Sequence, residues 1–144
     1  MNFQECIKFA TENPVCFFST DDGDQPRVRA FQMWFANENG FYFGILRPKK
    51  VMKELQKNPK VEICFYNNPQ ELQNMKMMRV TGEIEFLNDK ELAKKLAAER
   101  NFLEGIIGKP LEPITEVFRI NKGEAYFWTL MDNLKEDKLE RIKF

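Results

Sequence analysis

The chain has 144 residues with 22 basic and 22 acidic side chains, 14 phenylalanines, three scattered cysteines and no histidine. This length predicts one domain over residues 1–144. The missing histidine excludes serine–histidine and cysteine–histidine catalytic centres and histidine-ligated metals. Zero net charge argues against nucleic acid or a membrane surface as partner, and no apolar run reaches the ~18 residues of a membrane span. With no signal-peptide pattern and no cysteine pairing motif, we expect a cytoplasmic protein with reduced thiols.

The first residues are typical of a short helix followed by a strand. Asn2 and Glu5 have the spacing of a capping box. Apolar residues recur at helical spacing behind them, and Asn13-Pro14 ends the helix predicted over residues 3–13. Residues 15–20 are apolar and β-prone, and the Asp-Asp-Gly-Asp sequence that follows predicts a turn.

The stretch from Pro26 to Lys50 predicts two strands, a tight turn and a basic corner. Residues 27–35 alternate in polarity, Asn37-Glu38-Asn39-Gly40 is the turn, and residues 41–46 form the next strand. After Arg47-Pro48, a short helix is predicted from Lys49 to Lys57, ending at Asn58-Pro59.

The rest of the chain predicts more strands and a longer helix. Gly82 interrupts a strand and indicates a bulge or a close backbone approach. Asn88 and Glu91 have capping-box spacing, and Asn121-Lys122-Gly123 has the composition of a hairpin turn. The predicted elements are strands 60–66 and 77–87, a helix over about 89–103, hairpin strands 114–120 and 125–129, and a C-terminal helix from Met131. This order predicts a mainly β fold, an antiparallel closed or split barrel of six to seven strands with flanking helices.

The basic corner is the clearest candidate for a binding site. Between Gln25 and Lys53 there are six basic residues and one acidic residue, Glu38. Cations at a helix N-terminus favour an anion, most naturally a phosphate. Nearby aromatic side chains offer an apolar wall for a planar ring, which together with the phosphate indicates a nucleotide-like cofactor: Phe31, Trp34, Phe41, Tyr42 and Phe43. The alternative is an ordinary hairpin with solvated arginines.

These motifs together resemble the FMN-binding split barrels related to pyridoxamine 5'-phosphate oxidase. The resemblance rests on QPRVRAFQ, NGFYFG, KKVMKELQKNPKVEICF and MRVTGEIEFL, and covers nearly the whole chain. Its most specific part is the Lys-Val-x-x-x-Leu-x-x-Asn-Pro-x-Val pattern from Lys50 to Val61. Within this group the chain looks closest to the flavoproteins related to nitroimidazole-resistance (Nim) proteins.

The resemblance implies which residues hold FMN. The strand along the flavin corresponds to Arg27, Val28, Arg29, Ala30, Phe31 and Gln32. Gly44 and Ile45 correspond to the strand end near the phosphate, and Lys49 and Lys50 to its basic ligands. The family places FMN at a homodimer interface, where Trp128 is the candidate for a contact from the partner subunit.

The chain also departs from the family pattern. Ile45 replaces a threonine or serine and Pro48 replaces a serine, while the C-terminal Trp…Arg segment of the oxidases and the Nim histidine are absent. The resemblance therefore implies an FMN-dependent oxidoreductase that reduces a small oxidised molecule. We expect neither a metal nor a catalytic side chain, because flavins carry the redox chemistry themselves. Alternatives are a flavin- or haem-binding carrier or sensor without turnover, and a β-barrel that binds nucleic acid through its aromatic side chains and arginines.

Overall fold

Segments of alternating apolar and polar residues form one antiparallel sheet. The computed structural model describes residues 2–144. The helices are α1 (Phe3–Glu12), α2 (Lys50–Lys57), α3 (Lys90–Glu99) and α4 (Phe102–Ile107). The strands are β1 (Val15–Asp22), β2 (Gln25–Gln32), β3 (Phe35–Asn37), β4 (Gly40–Leu46), β5 (Lys60–Tyr66), β6 (Lys76–Phe86), β7 (Thr115–Thr129) and β8 (Ile142–Lys143).

The sheet curves into a barrel that stays split between β2 and β3. The strand order is β2-β1-β5-β6-β7-β4-β3, with β8 added to β7. The two ends of this order are joined in sequence by Met33 and Trp34 alone, so the sheet has to curve until its two edges lie near each other. Met33 N–H donates to the Pro14 carbonyl and Trp34 N–H to the Tyr42 carbonyl, at 2.8 and 2.9 Å. The predicted antiparallel split barrel is confirmed; it has eight strands instead of the six to seven predicted, and the short strands β3 and β8 are among them.

Phenylalanines fill the inside of the barrel. Phe18 on β1 lies edge-on to Phe43 on β4 and to Phe118 on β7, with ring centroids 5.3 and 5.8 Å apart. Phe43 and Phe118 are stacked at 5.4 Å. All three side chains are at most 1% exposed, so contacts between strands far apart in the sheet hold the barrel closed.

Helix boundaries follow local capping chemistry. The predicted capping box of α1 is confirmed, since Asn2 and Glu5 exchange hydrogen bonds of 2.7 and 3.1 Å. The prediction that Asn88 caps α3 is wrong. Asn88 has φ +52, and the Asp89 side chain accepts hydrogen bonds from the N–H groups at the start of the helix. The predicted single helix to residue 103 is two helices, α3 and α4, separated at Arg100 and Asn101.

Two predicted strand arrangements and one predicted helix are wrong. The strand predicted over residues 27–35 is divided, since β2 pairs with β1 whereas β3 pairs with β4. The predicted hairpin at Asn121-Lys122-Gly123 is one continuous strand, β7, whose extra residue is absorbed by a bulge against β6. The C-terminal segment is not a helix: it forms short 3-10 turns and then β8.

The predicted irregularity at Gly82 is confirmed. The register between β6 and β7 shifts between Gly82 and Ile84. A Cβ on Gly82 would lie 2.7 Å from both the Ile120 side chain and the Lys122 carbonyl. The bulge therefore depends on glycine because the two backbones approach too closely for a side chain.

Candidate cofactor site

The N-terminus of α2 lies beside an unpaired cation. Lys49 is the N-cap residue, in extended conformation, and none of the side chains of residues 2–144 caps the helix. Its ammonium lies 5.1 Å from the centre of the Phe31 ring on β2. Lys49 forms no ion pair with any residue in the range 2–144. The uncapped N–H groups and the free ammonium make this corner attractive to an anion.

The surroundings of Lys49 lower the pKa of its ammonium. The Lys49 side chain as a whole is exposed. Partial burial of its charged end is the larger cause of the lowered pKa, and the positive charge of Arg29 is the smaller cause. A bound anion would relieve both effects, because it replaces lost hydration and offsets the repulsion between the two cations.

Arg29 is held by a buried carboxylate. Its guanidinium donates to Glu54 Oε1 at 2.6 Å, Thr20 Oγ1 at 2.8 Å and the Phe18 carbonyl at 3.2 Å. The Thr20 hydroxyl also donates to Glu54 Oε1, at 2.6 Å. Glu54 is 4% exposed. Burial would raise the pKa of Glu54, but hydrogen bonds from Thr20 and Arg29 and the charge of Arg29 lower it overall. Glu54 therefore neutralises Arg29 and joins α2 to β1 and β2.

Arg27 and Lys50 lie on the outside of the same corner. Both contact the Asp22 carboxylate, at 3.4 and 3.7 Å. The Arg27 and Lys50 side chains are 45% and 71% exposed. Because such exposed pairs contribute little free energy, both cations remain available to an incoming anion.

The predicted flavin strand, β2, is an edge strand with two different faces. Arg29 and Phe31 lie on the side of α2, whereas Val28, Ala30 and Gln32 lie on the exposed outer face. Among the described strands β2 pairs with β1 alone, so its other edge presents backbone N–H and carbonyl groups that are not paired to another of these strands. The structure thus brings Phe31 and Lys49 together, next to a free backbone edge.

Gly44 and Ile45 on β4 are accounted for by packing. A Cβ on Gly44 would lie 2.0 Å from the Leu96 side chain on α3, so glycine lets the helix pack closely on the sheet. The Ile45 side chain is 4% exposed and belongs to the core. Any contact of these residues with a ligand would therefore involve the backbone.

Trp128 lies far from β2 on the same outer face. The pairing registers place one residue of each strand in a row across the sheet, and Trp128 lies two residues beyond the last of them: Ala30, Phe17, Cys64, Arg79 and Tyr126. Four strand spacings of about 4.8 Å separate the ends of this row by roughly 19 Å. Trp128 therefore does not join the β2 residues within one protomer.

A cavity lies where β2 ends. Its volume is about 660 Å³, and its lining includes Gln32, Trp34, Arg100 and Phe102. The Trp34 indole N–H donates to Glu99 at 2.6 Å. Burial lowers the pKa of Arg100, an effect that the charge of Glu99 partly offsets. The sequence did not reveal this cavity, since its residues come from β2 and from the junction of α3 and α4, about 65 residues apart.

The thiols and carboxylates of residues 2–144 do not form a reactive or metal-binding centre. Burial, followed by the proximity of Cys64, raises the pKa of Cys16 to about 12, and burial also raises the pKa of Cys64. Within this range no group of cysteine, aspartate and glutamate side chains could hold a metal ion. None of the described helices is long and apolar enough to cross a membrane.

The family model for pyridoxamine 5'-phosphate oxidase matches residues 3–129. The chain belongs to this family. It is similar to a solved NimC/NimA family protein from Clostridium acetobutylicum, with 29% identity over 98% of this chain and 92% of that one and a TM-score of 0.73. The family assignment and this structural likeness both confirm the resemblance drawn from the sequence motifs.

Two more distant solved structures share the fold. One is an FAD-binding protein from Mesorhizobium loti, 21% identical over 88% of this chain and 92% of that one, with a TM-score of 0.67. The other is HutZ, the haem storage protein from Vibrio cholerae, 22% identical over 90% and 95%, with a TM-score of 0.63. The chain matches none of the curated proteins with which it was compared.

Proposed function

We propose that this family member is an FMN-binding oxidoreductase that reduces a small oxidised molecule. The observation that carries the proposal is the unpaired Lys49 ammonium at the uncapped start of α2, beside the free edge of β2. A phosphate monoester matches the first two features, and the hydrogen-bonding edge of a flavin ring matches the third.

The residues at this corner fit FMN, and we assign them to different parts of the cofactor. Lys49, Lys50 and the first N–H groups of α2 hold the phosphate, and Arg27 adds a peripheral charge. Phe31 covers the apolar side of the corner, while the backbone of β2 aligns the ring. Arg29 contributes mainly by orientation, because Glu54 already neutralises it. When bound, FMN supplies the two-electron transfer chemistry.

The cavity at the end of β2 is the proposed place for the substrate. It shares Gln32 with the flavin strand and has aromatic walls in Trp34 and Phe102. Arg100 forms no ion pair with another residue of the 2–144 range, so its guanidinium can hold a carboxylate or another electron-rich group of an oxidised substrate.

The active form is proposed to be a homodimer with the cofactor at its interface. The outer face of the sheet exposes apolar side chains, notably Val28 at 69%, Val15 at 51% and Phe17 at 46%. A second copy of the chain would cover this face, and it would bring Trp128 of the partner subunit towards β2. Light scattering should therefore show a dimer; a stable monomer that retains flavin would contradict this assignment.

Exchanging the two lysines for glutamates tests the cofactor assignment. The variant Lys49→Glu/Lys50→Glu should lower FMN affinity by about 100-fold or more, since each charged hydrogen bond contributes about 1.5–3 kcal/mol. Riboflavin, which lacks the phosphate, should bind both forms almost equally. The matched control Lys57→Glu/Lys60→Glu makes the same charge change at the last residue of α2 and the first residue of β5. Full FMN retention by the first variant would refute the assignment.

A haem- or flavin-binding carrier without turnover is the competing function. Its support is the shared fold of HutZ, a haem storage protein. The present chain has no histidine, so it cannot supply a proximal histidine to haem, and two of its three cysteines, Cys6 and Cys16, are buried. Flavin absorption together with NAD(P)H turnover would support the oxidoreductase. Flavin absorption without turnover would support the flavin carrier, and a Soret band would indicate bound haem.

A further inference from the structure

The cavity at the end of β2 has one rigid aromatic wall, formed by Trp34 and Phe35. The Trp34 ring lies edge-on to Phe35 with ring centroids 4.9 Å apart, and Phe35 is stacked on Tyr42 of β4 at 4.3 Å. The Trp34 indole N–H donates to Glu99 on α3 at 2.6 Å. Contacts with β3, β4 and α3 therefore orient the Trp34 ring before any ligand binds, which lowers the entropy cost of binding a flat molecule against it.

The second aromatic wall of this cavity belongs to α4. Phe102 and Leu103, at the start of this helix, line the cavity. All six residues of α4 are at least partly exposed, and the Phe102 side chain is 64% exposed. A phenylalanine this exposed gains apolar contact when a ring binds beside it, and aromatic pairs add a further preference for ring against ring. The two walls together favour a planar aromatic ligand.

The charged groups of the lining favour an anion. Arg100, at the junction of α3 and α4, and Lys95 on α3 form no ion pair with any residue of the described range 2–144. The lining holds these two cations against one carboxylate, Glu99, which already accepts from the Trp34 indole. Burial lowers the pKa of Arg100, and the charge of Glu99 offsets this in part. A bound anion would replace the hydration that the Arg100 guanidinium has lost.

The chemistry of Arg100 narrows the kind of anion. A planar guanidinium donates two parallel N–H groups, which match the two oxygens of a carboxylate. A neutral aromatic molecule would leave this cation without a partner, and an aliphatic acid would not use the aromatic walls. The cavity shares no lining residue with Lys49 and Phe31 at the phosphate corner, so a ligand here does not compete with the phosphate of FMN.

We propose that this cavity binds a planar aromatic carboxylate, with its ring against Trp34 and Phe102 and its carboxylate on Arg100. The inference names the class of the substrate, and in that role it rests on the proposed function. Binding itself depends on residues outside the phosphate corner, so it can be measured separately from the binding of FMN.

Three small probes separate the contribution of the charge from that of the ring. Benzoate carries both, benzamide has the ring without the charge, and cyclohexanecarboxylate has the charge without the aromatic ring. Calorimetric titration of the protein at saturating FMN should show benzoate binding about tenfold tighter than benzamide, the scale of one charged hydrogen bond. Benzoate should also bind about fivefold tighter than cyclohexanecarboxylate, the scale of an aromatic pair. Equal affinities for benzoate and benzamide, or no binding of benzoate, would overturn the inference.

Variants of the lining show whether the probes bind in this cavity. Arg100→Gln should bind benzoate and benzamide equally, and Phe102→Ala should bind benzoate about fivefold more weakly. The controls Lys94→Gln and Ile106→Ala change exposed residues of the same two helices outside the lining, and they should bind benzoate like the wild type. A preference for benzoate that survives Arg100→Gln would place the ligand elsewhere and overturn the inference.

The same titrations without added FMN separate this inference from the proposed function. Protein that prefers benzoate in the expected pattern but binds no FMN would overturn the proposed function and support the aromatic carboxylate site. Protein that holds FMN but shows no preference for benzoate over benzamide would overturn this inference alone.

Discussion

Replacing Glu54 tests the buried corner that positions the cofactor site. In Glu54→Ala, Arg29 and Thr20 each lose a 2.6 Å hydrogen bond, and Arg29 keeps its charge with only 23% of the side chain exposed. Breaking a buried ion pair costs about 3–5 kcal/mol. Because Arg29 retains some solvent and two other acceptors, we expect the free energy of unfolding to fall by about 3 kcal/mol.

The variant Glu54→Gln separates charge from hydrogen bonding. A glutamine oxygen still accepts from Thr20 and Arg29, so the expected loss is only about 1 kcal/mol, the difference between charged and neutral hydrogen bonds. The pKa of Glu54 is lowered in the folded protein. Its charge therefore stabilises the fold above the unfolded-state pKa of about 4.3, and this stabilisation is lost as pH falls through the lower folded value.

Urea unfolding at pH 7 and near pH 3 measures both effects. The gap in unfolding free energy between wild type and Glu54→Gln should narrow at the lower pH. As control, Glu62→Gln removes a partner of Arg79 that is 41% exposed, and it should cost under about 1 kcal/mol. If Glu54→Ala costs no more than Glu62→Gln, the corner does not stabilise α2 as described.

Two further predictions concern turnover. Arg100→Gln should raise KM for an anionic acceptor about tenfold while flavin content stays unchanged, because one charged hydrogen bond is weakened. Steady-state kinetics measures KM, and an unchanged value would show that Arg100 does not bind the substrate. Cys16→Ala, Cys64→Ala and Tyr66→Phe should each keep activity within about tenfold, since a general acid–base role would be worth roughly 10²–10⁴-fold and both thiols have raised pKa values. A larger loss with full flavin content would identify a proton-transferring side chain.

Local signals predicted the elements that depend on local chemistry. The Asn2–Glu5 capping box and the alternation of β5 needed no distant partner, and both are confirmed. The turn-like Asn121-Lys122-Gly123 misled the prediction because the bulge opposite Gly82 allows β7 to continue. Asp89 caps α3 in place of the predicted Asn88, because Asn88 itself adopts a left-handed conformation.

The site was predictable only in part. The position of Lys49 at a helix start follows from the strand, proline and helix pattern around it. The contact of Glu54 with Arg29 joins residues 25 apart, and Thr20 is 34 residues from Glu54. One signal was present in the sequence: Glu54 directly precedes Leu55 and follows Val51 by three, so it lies on the apolar stripe of α2.

Identification of the molecule that the purified protein carries tests FMN binding itself. Protein purified without added flavin is denatured in acid, and the released small molecule is identified by mass and quantified against the protein. We expect FMN at close to one molecule per protomer. Release of haem, or protein that stays colourless and fails to bind added FMN, would contradict it.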